Sequence, residues 1–295
     1  MIGGWWPVFT VAQLTTNHQS RRGTVPTTKK MLQPLAYIHP EAKIAQNVVI
    51  EPFAVIHKDV EVAEGTWIGS HAVINEGSRI GRNCKIYPGA VISSIPQDLK
   101  FNNEYTRTFI GDNTTVREYA TISRGTEEHW KTEIGTDCLI MAYAHIAHDC
   151  RIGNHCILTN NVQMAGHVSM GEWAIIGGSS SVLQFTRIGA HAMISGGSLV
   201  RKDVPPFTKA AREPLSYTGI NSIGLRRRGF SNEKINEVQE IYRLIYLKGL
   251  NNADALTQIE LDLPPSNERD EIVNFIRTSE RGIMKGPGGI SASGD

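Results

Sequence analysis

From Ile38 to Val200 nearly every sixth residue is aliphatic. The frame holds 28 positions, of which 25 are Ile, Val, Leu or Met. An apolar content of 40% would supply about 11 by chance. The exceptions are Asp98, Glu104 and Glu128, and they fall in two polar stretches, 93–108 and 123–133, that read as loops leaving the repeat. A second column lies four residues after each aliphatic, and most of its members are small, among them Ala54, Ala72, Ala90, Cys138, Ala144 and Ser180. A period of six is neither the 3.6 of an α-helix nor the spacing of ordinary hairpins. Short strands bent at regular corners account for it. The aliphatic fills the inside of a coil, the small residue fits the corner, and a glycine after the aliphatic (Gly69, Gly81, Gly135, Gly189) is expected to ease the turn. Coils then stack at about the 4.8 Å spacing of paired strands. The expected fold is an all-β parallel β-helix of hexapeptide repeats.

The same column accounts for the cysteines. Cys84, Cys138, Cys150 and Cys156 all occupy the small corner position, so they are expected to be buried small hydrophobes. Their spacings match neither a disulfide framework nor a zinc cluster.

Beyond about residue 210 the period changes. Ser231 can cap a helix running to about Gly249 with Ile235, Val238, Ile241, Tyr242 and Ile245 on one face. A second helix fits 252–261, stopped by Pro264 and Pro265, and a third fits 268–281 with Ile272, Phe275 and Ile276 inward. Before the repeat, residues 1–40 contain no Asp or Glu, whereas Arg21, Arg22, Lys29 and Lys30 cluster. Such a leader reads as an organelle transit peptide or as translated upstream sequence with Met31 the true start, and the second is preferred. The expected organisation is a leader over 1–35, disordered or non-native, a β-helix over 36–210, a helical domain over 211–285 and a flexible tail over 286–295.

With 30 Lys and Arg against 29 Asp and Glu, the net charge of +1 argues against general nucleic-acid binding. No apolar run approaches the roughly 18 residues a transmembrane segment needs.

Chemistry has to be sought on the outside of the coil. Three sides of six residues put positions 18 apart above one another. His148, Gly166 and Gln184 form such a column, each two residues after its aliphatic, and Asp149 falls under His167 by the same rule. His145 precedes them on that surface. A solvated face would seldom gather three histidines, an Asp, a Gln and a Gly. Imidazole accepts a hydroxyl proton near neutral pH, a carboxylate can orient it, and a glycine can offer a backbone N–H to an oxyanion.

These residues carry a resemblance. The hexads, the stretch Met141-Ala-Tyr-Ala-His-Ile-Ala-His-Asp-Cys150, then Ala165-Gly-His-Val-Ser169, Gln97-Asp-Leu-Lys100 and Gly224-Leu-Arg-Arg-Arg-Gly-Phe230 resemble the UDP-N-acetylglucosamine acyltransferases of lipid A biosynthesis over about 36–285. The resemblance implies a left-handed coil, a cytoplasmic homotrimer with sites between neighbouring β-helices, and transfer of a 3-hydroxyacyl group from acyl carrier protein to the glucosamine 3-hydroxyl of UDP-N-acetylglucosamine. It implies that His148 is the general base, that Asp149 orients it and that the Gly166 N–H stabilises the oxyanion. Asp98, Lys100, His145, His167 and Gln184 would hold sugar or acyl groups. Asn221, Arg227 and Arg228 would hold uridine and diphosphate, where a planar guanidinium suits phosphate. Gly196 would be the acyl-chain ruler, open to chains of about fourteen carbons or longer. No cofactor, metal or redox nucleotide, enters the implied reaction. The chain departs from the family at Leu183, where His is usual, and at Ile223, where Glu is usual. Three other readings compete: a related carrier- or CoA-dependent hexapeptide acyltransferase, a γ-type carbonic anhydrase with zinc on His145, His148 and His167, and a β-helix scaffold without catalysis.

Overall fold

The computed structural model describes residues 31–32 and 35–287, so the expectations for most of the leader and for the last eight residues lie outside the described residues. Strands of two residues recur at the hexad spacing, as in Val49–Ile50, Val55–Ile56, Glu61–Val62 and Trp67–Ile68. Each pairs in parallel with the strand three further on: Val49–Ile50 with Trp67–Ile68, and Val55–Ile56 with Val73–Ile74. Among the described residues three sheets of eleven, nine and eight strands result. Face 1 runs from Met31–Leu32 to Ser216–Ile220, face 2 from Tyr37–Ile38 to Leu199–Val200, and face 3 from Lys43–Ile44 to Arg187–Ile188. This is the expected left-handed parallel β-helix.

The two sequence columns are its core. Ile50, Ile56, Ile68 and Ile74 are wholly buried, and so are Val48, Ala54 and Ala72 at the corners. The cysteines lie in the same column, and burial is only part of their role. The thiols of Cys138, Cys150 and Cys156 donate to the carbonyls of Gly153, Ala165 and Gly171 at 3.1, 3.2 and 3.1 Å. Burial pushes the Cys84 thiol up to about 11 and that of Cys150 to about 12, far from nucleophilic.

The corners correct one expectation. The left-handed backbone sits three residues after the aliphatic, at Asn47, Phe53, Asp59, His71 and their successors, with φ of 60°, 65°, 52° and 60°. The glycine directly after the aliphatic does not make the turn. It is required because successive coils touch there. A Cβ on Gly135 would stand 2.7 Å from the backbone N of Asn154, and one on Gly189 would stand 2.3 Å from that of Pro206.

The stack also begins inside the segment assigned to the leader. Met31–Leu32 pairs with Val49–Ile50, because Leu32 lies one hexad before Ile38 and continues the frame. Both polar stretches are loops, joining Val91–Ser94 to Arg107–Ile110 and Thr121–Ser123 to Lys131–Ile134. The face-3 aliphatic follows Ile92 by 18 residues and Ile122 by 12, not by 6, so the hexad frame survives both insertions.

Face 1 continues past the last full coil through Thr208–Ala211, on which Ser216–Ile220 lies antiparallel. Among the described residues four helices follow: α1 (Ser222–Arg227), α2 (Asn232–Leu247), α3 (Asn252–Asp262) and α4 (Asn267–Arg277). Ser231 caps α2 as expected, and the five residues placed on its inner face are buried. Helix α1 was not expected, and α4 stops four residues before Arg281. There the Thr278 carbonyl accepts the Arg187 guanidinium at 2.9 Å and the Ser279 hydroxyl donates to Asp203 at 2.7 Å, drawing the chain onto the β-helix. No helix among the described residues is long and apolar enough to cross a membrane.

Candidate active site

The corner between faces 2 and 3 differs from the other two. Both extruded loops leave from it, in the two coils directly below the one that carries His148. The loops therefore fold back onto the column His148, Gly166, Gln184, bringing side chains that no stepping by 18 could align with it.

Asp149 occupies the left-handed corner position, φ 59°, and is 1% exposed. Its Oδ2 stands 2.8 Å from His148 Nδ1 and accepts the Thr126 hydroxyl at 2.6 Å, while the Thr126 N–H reaches Oδ1 at 3.0 Å. Burial opposes the charge, but the hydrogen bonds from His148 and Thr126 outweigh it and hold the carboxyl below its usual range. An anion on Oδ2 fixes the His148 proton on Nδ1 and leaves the lone pair on Nε2. That nitrogen lies 3.8 Å from Asp98 Oδ2, so a hydroxyl group set to one side of the pair can reach both. Gly166 lies directly above. A Cβ there would stand 2.6 Å from His148 Cε1 and 2.8 Å from Nε2, so the imidazole fits only over glycine. Among the described residues no acceptor takes the Gly166 N–H.

His145 meets the Thr121 hydroxyl at 2.7 Å through Nδ1, and burial, then the neighbouring His148, lowers its pKa. His167 stacks on Phe185 with centroids 4.4 Å apart and lies edge-on to His148 at 5.0 Å. Burial lowers its pKa against the pull of Asp149 and Glu128. Asp98 holds its own loop through the Lys100 N–H at 2.9 Å, whereas the Lys100 and Gln184 side chains are exposed.

The other sequence-derived residues lie elsewhere on the chain. At the corner between faces 3 and 1, His155, Trp173 and His191 follow one another at the 18-residue step, and His155 stacks on Trp173. Arg228 lies over Trp173 at 5.1 Å and 3.2 Å from His191 Nδ1. Asn221 is 3% exposed. It caps α1 by accepting the Gly224 N–H, and it donates to the His191 carbonyl at 2.9 Å. Arg227 is exposed, as are Ile223 and Leu183. Gly196 sits at the third corner, between faces 1 and 2, where a Cβ would meet the Gly178 carbonyl at 3.1 Å. One chain thus brings together His148, Asp149, Gly166, His145, His167 and Asp98, but neither the arginines nor Gly196. Sequence reasoning missed Thr126, the principal donor to Asp149. The only sign of it was the polar insertion in which it lies.

A base held by a sealed carboxylate, beside a backbone N–H, can take a proton from an alcohol and steady the oxyanion of an acyl transfer. Comparison with known proteins agrees with that chemistry. The family model described as UDP N-acetylglucosamine O-acyltransferase, domain 2, matches residues 203–284, and the bacterial transferase hexapeptide model matches 59–94 and 131–166. An acyl-[acyl-carrier-protein]--UDP-N-acetylglucosamine O-acyltransferase of Halorhodospira halophila is 44% identical over 255 residues, 86% of this chain and 99% of the relative. One from Xylella fastidiosa is 43% identical over 257 residues, covering 86% and 98%. Among solved structures, the UDP-N-acetylglucosamine acyltransferase of Bacteroides fragilis 9343 aligns with a TM-score of 0.85 at 50% identity, over 86% of this chain and all of that one. Hexad coils with these matches place the chain among the hexapeptide-repeat acyltransferases. Within that class, the chain belongs to the UDP-N-acetylglucosamine O-acyltransferase family.

Proposed function

We propose that the chain moves a 3-hydroxyacyl group from acyl carrier protein to the glucosamine 3-hydroxyl of UDP-N-acetylglucosamine, the first step of lipid A biosynthesis, in the cytoplasm. The names of its relatives carry this donor and acceptor. The observation that carries the chemistry is the 2.8 Å contact between His148 Nδ1 and a buried Asp149. His148 Nε2 takes the proton of the sugar hydroxyl as its oxygen attacks the thioester carbonyl. The tetrahedral oxyanion accepts the Gly166 N–H. As it collapses, the carrier's thiolate leaves and recovers that proton from His148, so the enzyme ends unchanged. Asp98, Lys100, His145, His167 and Gln184 hold the sugar and acyl groups around the base.

We further propose a homotrimer. His148 and Gly196 lie at two different corners of the β-helix, and Arg228 packs from the end of α1 against the third, beside Trp173 and His191, so one substrate can touch all three only if neighbouring β-helices share a site. Asn221, Arg227 and Arg228 of one subunit then bind uridine and diphosphate beside the base of the next. Gly196 keeps the acyl groove open for chains of about fourteen carbons or longer.

The test is acyl transfer onto UDP-N-acetylglucosamine from a panel of carrier-bound and CoA-bound donors of several lengths. Carrier-bound long 3-hydroxyacyl donors should be preferred. His148→Ala should lower kcat by at least about 10²-fold and leave acceptor binding little changed. A rate within a few-fold of wild type would assign the base elsewhere.

A further inference from the structure

The loop between Thr121–Ser123 and Lys131–Ile134 brings a second group of donors beside the base, and the transfer chemistry uses neither of its loop members. Glu128, His129 and His167 each present one ligand atom, and these atoms lie within 4.8 Å of one another. The His167 side chain is 7% exposed. Its Nδ1 is buried with no hydrogen-bond partner among the described residues, and its Nε2 stands 3.6 Å from Glu128 Oε2 and 3.8 Å from Asp149 Oδ2. Both distances are too long for a shared proton. The first is close to the separation of about 3.3–3.5 Å between ligand atoms on tetrahedral zinc with bonds of about 2.0–2.2 Å. Asp149 Oδ2 is already taken by His148 and Thr126, so Glu128 is the carboxylate free to ligate. His129 Nδ1 lies 3.0 Å from the Glu128 carbonyl, a contact that places the proton on Nδ1 and leaves Nε2 as the ligand nitrogen.

We propose that Glu128, His129 and His167 form a site for a zinc-like divalent transition metal, with a fourth position left to water, and that the bound ion inhibits the enzyme. The metal plays no part in the reaction. It fills the groove between the loop and His167, whose ring borders His148, and so keeps the acceptor from the base. The inhibition rests on the function proposed above, whereas the binding does not.

The probes are Co²⁺ and Zn²⁺ added to the metal-stripped full chain. Stoichiometric Co²⁺ should give the visible absorption of a low-coordinate nitrogen and oxygen site, and both Glu128→Gln and His129→Ala should abolish it. In the transfer assay Zn²⁺ should inhibit reversibly. Each variant should raise the half-inhibitory concentration at least about ten-fold while keeping its metal-free rate within two-fold of wild type. A cobalt band lost in both variants supports the site whatever the transfer assay reads. No band, or a band that both variants keep, overturns the site, and equal zinc sensitivity of His129→Ala and wild type overturns the inhibition.

Discussion

A carboxylate sealed from water keeps its charge only while donors reach it. Asp149 is reached by His148 and by Thr126, the latter through both backbone and hydroxyl. Its neighbour Gly166 is tied to the same geometry by volume. In Gly166→Ala the new methyl would meet the end of the His148 side chain, not backbone, so the ring should rotate away and the fold should stand. We expect kcat to fall about 10²-fold, near the loss in His148→Ala, with an unchanged melting temperature. A wild-type rate would mean that His148 need not lie where it does. His191 makes a separate prediction. Burial, with the Arg228 charge beside it, holds its pKa at about 4 against an ordinary 6.5. Its folded value is the lower one, so stability is full above about pH 6.5 and is lost as pH falls toward 4, by about 3 kcal/mol in all. Denaturant midpoints across that window should drop in wild type and drop less in His191→Gln.

At the scale of the coil, the structure separates what repeats from what interrupts. The hexad frame was legible because the interior positions obey one packing rule, and the strand pairing reaches back to Leu32 in the same frame. The glycine after the aliphatic was located correctly and explained wrongly, since contact between stacked backbones leaves no trace within a single hexad. We expect Gly135→Ala to cost about 1–3 kcal/mol, because its methyl would press on backbone atoms that cannot turn aside. Gly178→Ala, whose nearest neighbour would be the Asn160 carbonyl at 3.2 Å, should cost less, and denaturant midpoints of the pair give the comparison. The site was half legible. His148, Asp149, Gly166 and His167 follow the 18-residue step, whereas Thr126, Glu128 and His129 lie in an insertion whose return path no period encodes. Helix α1, at six residues, is too short to show a face.

At the scale of the whole molecule, His148, Gly196 and Arg228 face three different sides of the β-helix, the last from the end of α1. A shared site makes a sharp expectation. His148→Ala and Arg228→Ala, each inactive alone, should recover about a quarter of wild-type activity when unfolded together and reassembled in equal amounts, because in a random mixture about one site in four pairs an intact base with an intact neighbour. The same material should sediment at about 97 kDa, three chains of 32.5 kDa. No recovery, or full activity in a monomer, would remove the shared site.

The last strands carry one more consequence. A stack of parallel coils is, in its bonding, a short length of fibril, and its final rung would offer unpaired backbone to any passing strand. Here the final strand of face 1, Ser216–Ile220, runs against the direction of all the others. The Tyr242 hydroxyl of α2 then pins the Pro206 carbonyl beneath the helices. On that face a further parallel strand finds no matching template at that end. The reversal that closes face 1 is also what stops it from growing.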